Sequence, residues 1–300
     1  MNTTAGRHAY LIAAHNKPEQ LCRLLRLLDD VQNDLYLHID RKANDISADM
    51  LRAQVKHAAI SFVPRMDANW GSEVFIDVIV SLLEAAARTE HAYYHFLSGV
   101  DLPLKPQSEI RAFFRAHAGS EFVAFDRETV DQKMLKKRIG LYYMPIPARP
   151  VWRRACHYVA SGWLRLQRLL GVNRLKNCDV VFQKGAVWFS ITHAFAVYAL
   201  AHAPQYRNYY RHSVCADEIW LQTILANSPF MQNRFFMGWN DEPAATMRFI
   251  DWPENARSPR VLTMHDYDAL TASGMLFARK FDDSVDQEVI DRIVQALGAE

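Results

Sequence analysis

Between Tyr10 and Leu97 the sequence alternates short apolar runs with stretches of helical periodicity, and few folds accept that order. Tyr10 to Ala14 reads as a strand ending at His15-Asn16. Pro18 stands where a first helical turn would tolerate it, and a leucine-rich helix is predicted over Glu19 to Leu28. Further strands are predicted at Leu35 to Ile39, closed by Asp40, at Ala59 to Val63 and at Tyr93 to Leu97. Helices Ala48 to His57 and Glu73 to Arg88 separate them. Parallel strands need crossover connections, which these helices supply, so the pattern predicts an α/β fold with a mostly parallel central sheet flanked by helices.

In such sheets ligands bind beyond the carboxyl ends of the strands. Two acids stand there, Asp40 and Asp101. The second lies in YYHFLSGVDLPLKP, where a small-residue turn follows the strand and Pro103 and Pro106 hold the exit extended. A lone strand-end Asp more commonly caps a turn. Its repetition in one sheet points instead to a small-molecule site, with His15 at a third strand end.

The second half is less regular. Strand character recurs at Glu121 to Phe125, within Val180 to Ile191 and at residues 246 to 252. Helices are expected at Thr192 to Ala201, from Asp217 onward (DEIWLQTIL), in an apolar piece from Thr271 and at Val285 to Leu297. Asp217 suits the N-cap of its helix and Glu218 the first turn, where the helix dipole favours a carboxylate. Capping explains both, and so would a general base held at a helix N-terminus. Val151 to Lys176 shows an apolar stripe at 155, 158, 159, 162, 163, 166, 169 and 170 beside many arginines, with Trp152 and Trp163. Such a helix either packs its stripe on the core or lies on an anionic membrane.

Composition narrows the classes. Three hundred residues, half of them hydrophobic, can bury a large core, and a net charge of +2 does not favour a general nucleic-acid surface. Four scattered cysteines without metal-like spacing read as free thiols in a reducing compartment. No apolar run is long enough to span a membrane and the N-terminus does not read as a signal peptide. The expected location is therefore the cytoplasm, with a peripheral position on the inner face of the plasma membrane left open. No P-loop, G-x-G-x-x-G, H-E-x-x-H or nucleophile elbow occurs. Asp266-Tyr267-Asp268 has D-x-D spacing but follows no buried strand, and Thr263 or Asp266 better suits a helix cap. Arg260 and Lys280 are cations among apolar neighbours that could neutralise a diphosphate without metal.

The segments YLIAAHNKPEQLCRLL, LYLHIDRKA, NWGSEVFIDVIVSLLEAA, HFLSGVDLPLKPQSEI, FQKGAVWFSITHAF, ADEIWLQTIL, RFIDW and LFARKFDD occur in this order. Through them the chain resembles the core-2/I-branching N-acetylglucosaminyltransferase and peptide xylosyltransferase family, glycosyltransferase family 14, roughly from Tyr10 to Asp283. The resemblance implies a GT-A-type nucleotide-diphospho-sugar transferase fold and an inverting, metal-independent transfer from a UDP-sugar, with no cofactor. It implies Glu218 as catalytic base. His15, Asp40, Asp101, Arg260 and Lys280 would lie on the donor side, and Lys137, Arg138 and Trp252 on the acceptor side. One domain over 1–300 is expected, with a nucleotide-sugar half to about residue 125 and an acceptor and catalytic half beyond it.

The basic stretch Val151 to Lys176 is the least matched. The membrane anchor and disulfides of eukaryotic members are not seen, which points to a bacterial form acting in surface polysaccharide or glycolipid synthesis on a glycan or lipid-linked glycan. N-acetylglucosamine is the first donor sugar expected, with xylose and glucuronate as alternatives. A non-catalytic glycan- or nucleotide-binding homologue is the competing reading, against which Glu218 and Lys280 speak. A metal-dependent transferase using Asp266 or Asp101 is a further one.

Overall fold

The structure is a computed structural model that describes residues 6–69, 71–144, 150–254, 256 and 258–298, leaving aside the side chains of 150–155 and 157. Trp152, named above, and Trp70, in the segment NWGSEVFIDVIVSLLEAA, are therefore outside the described side chains.

Seven buried residues, His8–Ala14, form the first strand, β1. It leads through helix α1 (Pro18–Leu28) to β2 (Asn33–Ile39), then α2 (Ala48–Arg52), β3 (Ala59–Phe62), α3 (Val74–Ala86) and β4 (Tyr93–Ser98). After the turn at Ser98–Asp101 come the two-residue strand β5 (Leu102–Pro103), helix α4 (Gln107–Ala116), β6 (Phe122–Val123), α5 (Gln132–Arg138) and α6 (Pro150–Leu169). The chain continues through β7 (Phe189–Thr192), α7 (His193–Tyr210), a 3-10 turn at Ala216–Glu218 and α8 (Trp220–Ala226). It ends with α9 (Glu242–Thr246), β8 (Arg248–Ile250), α10 (Tyr267–Ala272), β9 (Phe277–Arg279) and α11 (Gln287–Ala296).

Six strands make one sheet in the order β3-β2-β1-β4-β7-β6, and β5-β9-β8 make a second, small sheet. β1 to β4 are mutually parallel; β7 runs against β4 and β6 against β7, so β6 returns to the majority direction. The mixed α/β fold with a mostly parallel central sheet agrees with the reading of the sequence.

Alternation along β1 builds two cores, because successive side chains of a strand face opposite sides. Ala9, Leu11 and Ala13 join Tyr94 and Phe96 in a cluster covered by α3, α7 and α8. Tyr10, Ile12 and Ala14 join Tyr93 and Leu97 in the other, covered by α1, α4, α11 and the small sheet.

Several elements differ from the expectation. α2 stops at Arg52 instead of continuing to His57. The strand expected at Glu121 to Phe125 is two residues long: the Glu121 backbone bonds Asn233 O (2.7 Å) and Phe235 N (3.0 Å) instead, while its carboxylate accepts from the Thr192 backbone and hydroxyl. α7 runs past Ala201 to Tyr210 with Pro204 inside it. The helix expected from Thr271 ends at Ala272, and strand β9, Phe277–Arg279, follows it because that segment pairs on both sides within the small sheet. The helix expected to open at Asp217 starts at Trp220, so Asp217 is not its N-cap.

Arg248 joins the two sheets. It is 1% exposed. Its Nη2 donates to the carbonyls of Phe96 (3.1 Å) and Phe189 (2.7 Å), and Nη1 to that of Thr246 (2.6 Å). The β4–β7 pairing ends at His95 opposite Ser190, so the guanidinium takes the carbonyls just beyond the last rung. Burial lowers its pKa to about 10, with Asp101 and Glu242 opposing that shift. Removing it would leave buried carbonyls without donors. Arg248→Ala should lose about 3–5 kcal/mol in urea unfolding; a loss near zero would show that the sheets hold together without it.

Candidate active site

The carboxyl ends of the parallel strands meet along one edge. Beyond β1, Ala13 accepts from Gly99 N (3.0 Å) and Ala14 from Asp40 N (2.8 Å), so the exits of β1, β2 and β4 are tied together. Asp40 is buried and accepts from Lys42 N (2.8 Å) and Ala68 N (3.1 Å), which shapes the loops on either side of it. His15 is exposed at the end of β1.

Asp101 is 1% exposed. It accepts from Ser98 N (2.9 Å) and Ser98 Oγ (2.6 Å), closing the turn, so the bland capping reading is part of the truth. It also lies 3.5 Å from Arg279 Nε, a cation that sequence reasoning passed over although it sits in LFARKFDD beside Lys280. The Arg279 guanidinium stacks on Trp188 at 3.6 Å, and burial lowers its pKa while Asp101 and Glu242 hold it charged. A buried cation is retained where it is paired and stacked.

Lys280 follows at the end of β9. Its Nζ donates to Ser258 Oγ (2.6 Å), and no carboxylate among the described residues lies within ion-pair range of it. Next to it, Phe281 N bonds Val100 O (3.0 Å), which sets Lys280 beside the Asp101 turn. Lys17 fixes this segment from the other side by pairing with Asp282 (2.6 Å) and Asp283 (2.9 Å). Arg260 differs from the expectation of a cation awaiting phosphate. It is held by Asp251 (2.6 Å) and, through two bonds of 2.9 and 2.7 Å, by Asp266. Those carboxylates raise its pKa and already balance its charge. Asp266 also caps its turn reciprocally with Thr263, which accounts for the D-x-D. Among the described residues no group of three or more His, Cys, Asp or Glu side chains gathers as metal ligands would.

Glu218 ends the 3-10 turn, and three segments hold it. Its Oε2 receives Arg138 Nη1 and lies 3.4 Å from Lys184 Nζ, which also pairs with Asp126 beyond β6. No described protein donor reaches Oε1, and about a third of the side chain remains exposed. Arg138 thus stands on the expected base, while Lys137 beside it is exposed. The backbone explains this placement. Gly185 N donates to Glu218 O (2.9 Å), and a Cβ at Gly185 would fall 1.8 Å from Ala124 O. Gly71, at φ +72, accepts from Cys215 N (2.8 Å), and a Cβ there would press on Cys215 Sγ. Lys184 lies in a segment noted for its resemblance, FQKGAVWFS, but no local pattern marks a lysine that crosses the site to a glutamate.

Trp252 is half exposed after β8, with Nε1 donating to Glu242 Oε2 (3.3 Å). Burial raises the Glu242 pKa, Arg279 lowers it and Asp126 raises it. Arg279 thus stands between the charges of Asp101 and Glu242, and Lys184 joins Asp126 to Glu218.

Asp217, beside Glu218, is partly buried, with Oδ1 shielded from solvent and unpartnered. Burial, with the Glu218 charge second, pushes its pKa up to about 6. The folded protein therefore binds this proton more tightly than the unfolded chain, and the stabilisation is lost as pH rises from about 4 through about 6. Asp217→Asn should remove this component, raising unfolding free energy relative to wild type by up to roughly 3 kcal/mol at neutral pH but not at pH 4. Urea titrations across that range check it; parallel curves for the two proteins would contradict the burial.

The Core-2/I-Branching enzyme family model matches residues 8–275. Xylosyltransferase 2 of Mus musculus is 22% identical over 307 residues, covering 95% of this chain and 33% of that protein. Xylosyltransferase 1 of Homo sapiens is 20% identical over 306 residues, covering 96% and 30%. The chain thus spans about a third of the length of these curated relatives. The apo crystal structure of mouse xyloside xylosyltransferase 1 superposes with a TM-score of 0.34 at 11% identity, over 90% of this chain and 96% of that one, too loosely to bear on the fold. With the family match running from β1 through the whole six-stranded sheet, the Glu218 turn and β8, the chain belongs to the Core-2/I-Branching enzyme family, a family of glycosyltransferases.

Proposed function

We propose that the chain is an inverting, metal-independent glycosyltransferase that moves a sugar from a UDP-sugar to a glycan hydroxyl, with Glu218 as general base. The observation that carries this is the asymmetry of the Glu218 carboxylate. Arg138 and Lys184 take Oε2, while Oε1 has no donor among the described residues and a third of the side chain is open. A base needs that combination: a fixed charged oxygen and a free one within reach of the hydroxyl.

In the reaction, the acceptor oxygen attacks the anomeric carbon as the bond from that carbon to the phosphate oxygen breaks. The hydroxyl proton passes to Glu218 and the bonding pair leaves with UDP. Single displacement inverts the centre, through a transition state of oxocarbenium character. Lys280 takes the charge growing on the departing diphosphate. His15, Asp40 and Asp101 belong to the donor side, with Asp40 and Asp101 acting by shaping its loops. Arg260, already balanced by Asp251 and Asp266, holds the loop opposite Lys280. Trp252 offers a ring face to an acceptor sugar, and Lys137 the nearby exposed charge.

N-acetylglucosamine is the proposed donor sugar, and a bacterial surface glycan or lipid-linked glycan the proposed acceptor class, met in the cytoplasm. UDP release from UDP-N-acetylglucosamine, UDP-xylose and UDP-glucuronate, with and without glycan acceptors, tests the donor. Glu218→Gln should bind UDP as wild type does and lose transfer by at least ~100-fold; near-normal turnover would remove Glu218 from the role. Lys280→Ala should weaken UDP binding by about tenfold, and Arg260→Ala by less. Transfer should survive EDTA; abolition restored by a divalent ion would replace the cationic mechanism with a metal-dependent one.

A further inference from the structure

Helix α6 does not bury the apolar stripe that its sequence carries. Tyr158 is 81% exposed, Val159 60%, Leu166 46%, Leu169 85% and Leu170 71%. The helix is held to the body by polar contacts instead. Gln167 is 2% exposed and bonds both the backbone N (2.8 Å) and O (2.9 Å) of Tyr142, and Trp163 Nε1 donates to the same carbonyl (2.9 Å). The expectation of a stripe packed on the core therefore fails here. Tyr142 and Met144, each nearly half exposed, extend the apolar surface beyond the helix around a pocket of about 380 Å³ that Trp163 and His212 help to line.

The charge around this surface is one-sided. From Gln132 to Cys178 the chain has no Asp or Glu and eleven Lys or Arg residues, a charge of +11 in a protein whose total is +2. The remainder is therefore acidic. Of these eleven, Arg138 alone is ion-paired among the described residues. Arg165, Arg168 and Lys176 are exposed near the apolar residues of α6. A second copy of the same face would set one basic surface against another. An anionic lipid surface matches it, because acyl chains accept the exposed leucines and aromatic rings while the headgroups accept the arginines. The acidic remainder is repelled by the same surface, which fixes the orientation.

We propose that α6, with Tyr142 and Met144, docks this protein peripherally on an anionic lipid bilayer. The docking face is continuous with the candidate active site. Tyr143 N bonds His212 O (2.7 Å), and Val214 N, four residues before Glu218, bonds Arg138 O (3.1 Å). Docking thus holds the Glu218 turn near the headgroups, where a lipid-linked acceptor would present its hydroxyl. That last consequence rests on the glycosyltransferase reading; the docking itself does not.

Co-sedimentation of the full chain with vesicles tests it. Vesicles of equal parts phosphatidylglycerol and phosphatidylcholine should retain the protein at low salt, phosphatidylcholine alone should not, and about 0.5 M salt should release it. The double variant Leu169→Glu, Leu170→Glu should partition at least about tenfold less, with an unchanged melting temperature because both side chains are exposed. Arg165→Gln with Arg168→Gln should weaken binding and flatten its salt dependence. Absence of wild-type binding at low salt, or undiminished binding of the leucine variant, would overturn the proposal. So would a wild-type dimer in analytical ultracentrifugation that the leucine variant dissociates, since the face would then be a protein interface. None of these readouts depends on sugar transfer, so docking and catalysis fail separately.

Discussion

The burial of the Arg248 guanidinium is the constraint around which both sheets are arranged. Three carbonyls from β4, the start of β7 and the residue chain before β8 converge on it, and none of them has a ladder partner in that position. Asp101 and Glu242 supply the negative field that keeps it charged, and Arg279 shares the same two carboxylates. The strand-end turn, the small sheet and the second cation are therefore one electrostatic unit. Asp101 cannot be freed to serve as an independent ligand without leaving two arginines underbalanced in a low-dielectric interior.

A second feature of the site is the division between cations that are already satisfied and cations that are not. Arg260 and Lys17 are absorbed by pairs of acids, and Arg279 by Asp101 and an indole face. Lys280 has only a serine hydroxyl among the described residues. Charge that has been neutralised inside the protein builds loops; charge left over is what a phosphate would meet. The same division separates the two oxygens of Glu218.

Much of the frame was legible because local rules act alone there. Apolar alternation located β1, β2 and β4, and the spacing of helices between them required parallel pairing. Ordered segments such as LFARKFDD and ADEIWLQTIL singled out Lys280 and Glu218. What stayed hidden depends on residues distant in sequence. Arg248 looks like an ordinary strand arginine in RFIDW until two remote carbonyls are placed beside it. Lys184 gains meaning only through Glu218, and Arg260 loses its apparent availability only through Asp251 and Asp266. The stripe of α6 was visible, but periodicity shows that a helix has an apolar face and not what covers it.

The pairing of Leu102–Pro103 with Phe277–Arg279, and the clamp of Lys17 on Asp282 and Asp283, have a consequence for assembly. The floor beneath the strand exits is completed by residues synthesised about 175 to 265 positions after the segments they join. A ribosome-bound chain carrying β1 to β4 holds the strand exits but neither Arg279 nor Lys280. The edge formed by the strand exits therefore stays unfinished until residues 277 to 283 have emerged and paired back onto it.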